Sequence, residues 1–129
     1  MEKIRSHRDL KVWTKAMDVA MAVFEVSKTF PGAERFSMTD QIRRSSRSVP
    51  ANIAEAWRKR RYAAAFVSKL NDAEAEAAET QTHIELARRC AYITEARANE
   101  LEQCYEEIIA MLATISNHPE KWCLSCLTF

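Results

Sequence analysis

The chain has 129 residues, enough for one packed domain, and its 47% apolar beside 29% charged content excludes a disordered chain. Nineteen basic and 18 acidic side chains leave a net charge of +1, a balance that conceals a strong separation along the chain. No stretch approaches the roughly 20 uninterrupted apolar residues of a membrane span, and Met1 to Leu10 carries alternating charges rather than an apolar signal core, so a cytoplasmic protein with no membrane contact is expected.

The first predicted helix covers about residues 9–30. Two apolar series step through it by three and four: Leu10, Trp13, Met17, Ala20, Phe24 and Val12, Ala16, Val19, Val23, Val26, Phe30. Together they leave only Lys11, Thr14, Lys15, Asp18 and Glu25 in a wet sector. A helix so apolar needs neighbours on two sides, and shielding of Val12, Val19 and Val26 by sister chains is expected. Ser6 or Asp9 can cap its start, and Pro31-Gly32 closes its end.

The second helix, about 37–60, places Ser37 as its cap with Asp40 three residues on, and its seam reads Ile42, Ser46, Val49, Ile53, Ala56. Pro50 lies in that seam and deprives the Ser46 carbonyl of its helical donor. The apolar register continues on both sides, which predicts a bend near Pro50, with a break into two short helices as the alternative.

The third helix, about 63–90, has the seam Phe66, Leu70, Ala73, Ala77, Thr80, Ile84, Ala87, whose alanines let a neighbouring backbone approach. The fourth, about 95–116, has Thr94 as cap and the seam Ala98, Leu101, Tyr105, Ile108, Leu112, Ile115, ending before Pro119. Four seams with short connections predict an all-α, antiparallel up-down-up-down four-helix bundle forming a single domain over 1–129. The apolar tail 119–129, from Trp122 onward, is expected to dock on a neighbour. Gly32 is the only glycine, which excludes phosphate-cradling loops.

Residues 41–61 hold seven basic side chains, Arg43, Arg44, Arg47, Arg58, Lys59, Arg60 and Arg61, against the single Glu55, a local excess of +6. Residues 62–107 hold four basic and ten acidic groups, a local charge of −6. On a continuous helix Arg43, Arg47, Arg58 and Arg61 fall within about 60° of one another, in a stripe roughly 27 Å long. Guanidinium groups pair bidentately with phosphates and release counterions, so the stripe can track RNA or DNA backbone. The competing reading pairs these arginines with the acidic third and fourth helices, inside the bundle or across a subunit contact. Only Trp57 and Tyr62 stand beside the cluster as aromatic partners, which gives base stacking weak support.

A second polar set, Gln41, Asn52 and Glu55, is placed by the seam at or near the buried side of the second helix. Hydrogen bonds to the carbonyl freed by Pro50, to Arg44 or to a facing helix would make it structural. The alternative is a small-ligand site.

Catalytic and metal chemistry find little purchase. A di-iron bundle needs inward carboxylates and two Glu-x-x-His pairs, and only Glu79 and His83, four apart, come near. Cys123-Leu124-Ser125-Cys126 has metal-type spacing with His118 before it, but Cys90 and Cys104 are not spaced as the second pair that a structural zinc requires. The four cysteines read as ordinary thiols of a reducing compartment, with a redox role for the Cys123–Cys126 pair as the alternative. No serine or cysteine stands beside a base, and no glycine-framed elbow is present. A non-enzyme without cofactor or metal is expected.

The segments Asp9-Leu10-Lys11-Val12-Trp13 with Lys15-Ala16, and Phe30-Pro31 with Glu34-Arg35-Phe36, belong to a wider pattern. It continues in Gln41-Ile42-Arg43-Arg44-Ser45, in Ser48-Val49-Pro50-Ala51-Asn52-Ile53-Ala54-Glu55, and in Phe66, Lys69-Leu70, Glu76, Glu79-Thr80-Gln81 and Glu85-Leu86-Ala87. By these residues the chain resembles the bacterial four-helix bundle proteins also called 23S rRNA intervening-sequence proteins, from Asp9 to Ile115. The resemblance implies antiparallel four-helix subunits assembled as pentameric rings. A related accessory protein of diversity-generating retroelements binds nucleic acid and a reverse transcriptase, so a nucleic-acid or protein partner is implied and no enzymatic activity. Ala56 departs from the pattern, since a glycine commonly follows the glutamate there.

Overall fold

Apolar side chains at helical spacing decide the architecture, and the Phe66-to-Ala87 seam is buried along its whole length. The structure, a computed structural model, describes residues 4–123. Four helices, α1 (Lys11–Ser27), α2 (Met38–Arg58), α3 (Ala63–Arg89) and α4 (Glu95–Ser116), are joined by short turns, with single 3-10 turns at His7–Asp9, Gly32–Glu34 and Pro119–Lys121. The described residues contain no strand, and none of their helices is long and apolar enough to cross a membrane.

Each helix packs on the next, and α4 closes against α1. Between α2 and α3 the contact pairs descend along one helix as they ascend along the other: Arg44 meets Glu76 and Glu79 where Asn52 meets Lys69. Ser27 meets Arg43, Thr80 meets Ser45, Gln81 meets Glu106, and Lys15 meets Glu107. Phe66, Ile53, Ile84, Ile108 and Leu112 are fully buried between the four, each contributing about 1.5–3 kcal/mol of transfer free energy.

The two apolar series of α1 divide: the valine series faces this core throughout, while of the other only Leu10 and Trp13 pack on it. Val12, Ala16, Val19 and Val23 are buried within the subunit, and Val26 packs against the same cluster. The expectation that sister chains must shield these valines is therefore corrected for Val12 and Val19, which the subunit itself buries, while Val26 is half-buried beside Tyr92 and Ile93 of the α3–α4 turn. The surplus lies on the other series, where Met17 is 38% and Met21 55% exposed. Trp13, in that series, is instead roofed by the amino-terminal turn, with His7 edge-on at 5.2 Å and the Arg8 guanidinium 5.5 Å from the ring.

α2 runs unbroken through Pro50, so the two-helix alternative falls. Ala56 is wholly buried and the helix continues past it to Arg58, so the departure from the glycine pattern fills core volume without ending the helix.

The helix ends differ from expectation at two places. Ser6 caps the 3-10 turn, accepting from Arg8 N at 3.2 Å, while the α1 cap position is Leu10, which has no capping side chain. Ser37 occupies the α2 cap position, but its hydroxyl donates to Glu34 Oε1 at 2.6 Å. That same carboxylate oxygen accepts from Met38 N at 3.3 Å, so Glu34 does the capping from the preceding turn. Thr94 caps α4 as expected, accepting from Arg97 N at 3.1 Å.

α3 closes with Tyr92 N donating to Ala87 O and Ala91 N to Arg88 O, both at 2.9 Å, and Ala91 holds φ 60°. This left-handed position usually takes glycine, and an alanine there costs about 1–2 kcal/mol. The turn then presents the Tyr92 hydroxyl, which donates to Glu34 Oε2 at 2.8 Å and ties the two inter-helix turns together.

The bonds from Ser37, Tyr92 and Met38 hold the Glu34 carboxyl below its ordinary pKa. Its contribution to stability is present above the ordinary carboxylate value and is lost as pH falls through the depressed one. The Glu34 hydrogen bond pushes Tyr92 up to about 12, so that partner stays neutral throughout the acid range. Replacing Tyr92 by Phe is expected to move the Glu34 titration upward, as followed by carboxyl-carbon NMR. An unchanged Glu34 titration would remove Tyr92 from this account.

Candidate nucleic-acid interface

The buried stripe of α2, Ile42, Ser45, Ser46, Val49, Pro50, Ile53, Ala56 and Trp57, turns the remaining arginines outward. Arg43 is half-buried against α1: its Nε donates to Ser27 Oγ at 2.7 Å and its guanidinium lies 4.8 Å from the Phe24 ring centroid. Arg47, one turn on, lies 5.7 Å from the same ring, and Lys28 Nζ 4.8 Å from it. Phe24 thus holds three cations by its π-face, each interaction contributing about 0.5–1 kcal/mol at such exposure.

Arg44 points the other way. Its guanidinium spans to α3, meeting Glu76 at 3.1 Å and also Glu79. It is the one member of the cluster that satisfies the intramolecular pairing reading. Among the described residues no carboxylate lies in ion-pair range of Arg43, Arg47, Arg58, Lys59, Arg60 or Arg61. Three acidic groups of α3 and α4 are engaged elsewhere, Glu85 with Arg88 and Arg89, Glu100 with Arg97, and Glu107 with Lys15.

The expected continuous stripe does not form, because α2 ends at Arg58 and Arg61 lies in the turn beyond it. The cluster splits into two patches. At the far one Arg58, Lys59 and Arg61 are exposed, while Arg60 folds back with its guanidinium 3.4 Å from the Trp57 ring centroid and Nε donating to Trp57 O at 2.8 Å. Burial lowers the Arg60 pKa, with Cys123 opposing and Arg58 adding to the shift. Trp57 is buried beneath it and offers no face to a base, which leaves Tyr62, 66% exposed, as the aromatic of this patch. The tail expectation is corrected over its described part: Trp122 is half-buried and Cys123 buried against the chain's own bundle, and Cys126 lies outside the described residues.

The near patch borders an open depression of about 610 Å³, lined by Arg35, Phe36, Arg43, Arg44, Arg47 and Ser48 among others. Arg35 and Phe36 were missed as site residues, since they sit in a turn where helical periodicity says nothing about direction. Beyond Arg47 an apolar hollow of about 330 Å³ is lined by Met17, Met21, Phe24 and Pro50.

The polar set divides. Asn52 is half-buried, donating Nδ2 to Ser48 O at 2.8 Å and accepting from Lys69 Nζ at 3.3 Å. Glu55 is exposed and meets the same ammonium at 3.4 Å. Gln41 is exposed about three turns before Asn52 and joins neither, which corrects its placement at the buried side. The Asn52–Lys69–Glu55 group is a bridge between α2 and α3.

The polar core is elsewhere. Thr80 Oγ1 lies 2.8 Å from Ser45 Oγ and 2.9 Å from Glu76 O, and Tyr105 is fully buried beside this pair. The Tyr105 hydroxyl makes no full hydrogen bond to a described residue; burial raises its pKa, and the approach of Thr80 opposes that shift. His83 is a mostly covered helix residue 3.8 Å from Glu79. Among the described residues no three His, Cys, Asp or Glu side chains converge as a metal site.

Fold and surface together define a four-helix bundle with an unpaired basic face. The chain belongs to the 23S rRNA-intervening sequence protein family, whose sequence model matches residues 8–114. It is similar to the crystal structure of a protein with unknown function from the S23 ribosomal protein family of Bacteroides thetaiotaomicron VPI-5482. The TM-score is 0.74 and the identity 34%, covering 81% of this chain and 97% of that one. No curated protein matches the chain.

Proposed function

We propose that this protein is a non-enzymatic, cytoplasmic, homo-oligomeric bundle that holds nucleic-acid backbone without reading its sequence. Arg43, Arg44 and Arg47 make one contact, and Arg58, Lys59, Arg60 and Arg61 a second. One observation carries the reading: six of these seven side chains face solvent or an aromatic ring without a carboxylate partner among the described residues, although the chain has acids to spare. A phosphate chain supplies the missing anions and yields counterion release. No cofactor, metal or membrane enters.

Met17 and Met21, exposed beside Arg47, support assembly with sister chains, and the pentamer is the assembly the resemblance implies. The same methionines favour a second reading, a protein-binding scaffold whose arginines serve only intersubunit salt bridges.

Titration with RNA and DNA of unrelated sequence distinguishes the two. The proposal expects association at low salt whose logarithmic affinity falls linearly with the logarithm of salt concentration, and native mass measurement reporting a multiple of the subunit. Absence of association at low salt, with salt-insensitive capture of a protein partner, would replace it with the scaffold.

A further inference from the structure

Phe36 is the most exposed large apolar side chain among the described residues, at 85%. It stands at the rim of the basic depression, between two fixed points of the backbone. On one side Glu34 is held by Tyr92 at 2.8 Å, and on the other Ser37 and Met38 N are bound to the same Glu34 carboxylate. The turn is therefore set before any ligand arrives, and the ring is held out in water rather than folded into the core. The Arg35 guanidinium lies 5.1 Å from the centroid of the ring. Behind it the depression carries Arg43, Arg44 and Arg47 against the single acid Asp40.

An exposed aromatic ring with a guanidinium over it, opening onto a cationic trough, is the equipment that binds unpaired bases: the ring accepts a base face and the arginines accept the phosphates that follow. In a duplex the base faces are already covered by their neighbours, so such a ring gains nothing there. Resting on the nucleic-acid reading above, we infer that Phe36 is a base-stacking platform and that the Arg35–Arg47 depression takes a single strand in preference to a duplex. One base lies on Phe36 beside Arg35, and the backbone runs on across Arg43 and Arg47.

The test compares an oligouridylate, which forms no secondary structure, with the oligouridylate·oligoadenylate duplex of the same length, by fluorescence anisotropy at one low salt concentration. The intact protein is expected to prefer the single strand. Phe36→Ala should weaken single-strand binding about tenfold and leave duplex binding within about twofold. Phe36→Trp should restore the affinity, with tryptophan emission quenched on addition of the single strand. Because the ring is exposed, neither substitution threatens the fold. Equal binding of both probes, or Phe36→Ala affecting both or neither, overturns the stacking role while phosphate binding stands. A change in assembly mass on Phe36→Ala with strand affinity unaltered assigns the ring to a subunit contact and equally overturns it. Failure of the intact protein to bind either probe removes the nucleic-acid reading itself.

Discussion

Exchanging Arg43 and Arg47 together for glutamate is expected to weaken nucleic-acid binding by at least about a hundredfold at low salt while leaving the protein folded. Each replaced contact removes one counterion-releasing pair, worth about 0.7–0.9 in the slope of log affinity against log salt, and the two new carboxylates repel the backbone besides. The salt slope should therefore fall by nearly two. The structural cost is small, because neither arginine pairs with a carboxylate. What is lost is the Arg43 bond to Ser27 Oγ and two cation contacts on Phe24, together about 1–3 kcal/mol. Arg44 is the wrong residue for this experiment: a glutamate there would face Glu76 and Glu79 and report repulsion inside the bundle. Anisotropy titrations at two salt concentrations beside a thermal melt check the prediction, and an unaltered slope in a folded double variant would sink it.

The helices were legible because burial repeats. Phe66, Leu70, Ala73, Ala77, Thr80, Ile84 and Ala87 lie on one face by spacing alone, and all seven are buried. Ala98, Leu101, Tyr105, Ile108 and Leu112 of α4 follow the same rule. Spacing stops deciding where two apolar series share one helix. In α1 the valines and the Leu10–Phe24 series repeat alike, and only the placement of α2 and α4 determines that the valines are covered and the methionines are not.

Site details depend on partners remote in sequence, and there the reading was weakest. Nothing local distinguishes Arg44 from Arg43, yet one finds carboxylates 32 and 35 residues away and the other a serine 16 residues back. Glu34 caps α2 in place of Ser37 because Tyr92, 58 residues on, fixes the turn that brings its carboxylate to Met38 N. Trp57 stands in sequence as an aromatic beside basic residues and is buried under Arg60, while Phe36, with no basic run around it, is bare. Composition counts charges and rings; only packing determines which of them meet solvent.

Packing also leaves two buried hydroxyls, those of Tyr105 and Ser116, without a hydrogen-bond partner among the described residues, and the second large effect concerns Tyr105. Tyr105→Ala is expected to destabilise the bundle by about 3–5 kcal/mol, because a fully buried ring leaves a cavity that the surrounding helices fill only in part. For a domain of this size that corresponds to a fall in Tm of roughly ten to twenty degrees. Tyr105→Phe should do the reverse of what deleting a hydrogen bond usually does. The hydroxyl makes no full hydrogen bond to a described residue, so the native fold bears its desolvation without return, and removing it should be neutral or stabilising within about 1 kcal/mol. Ser45 and Thr80 supply the contrast: their hydroxyls lie 2.8 Å apart in the same core, so Thr80→Val leaves Ser45 with only its long 3.4 Å bond to Ile42 O and should cost about 1–3 kcal/mol. Chemical denaturation of the three variants orders them as Phe, then Val at position 80, then Ala. A Tyr105→Phe protein less stable than the parent by more than about 2 kcal/mol would mean that Thr80 bonds the phenol in solution. The Ser45–Thr80 pair would then extend to Tyr105, making one continuous polar chain from α2 through α3 to α4 that fixes the register of the bundle.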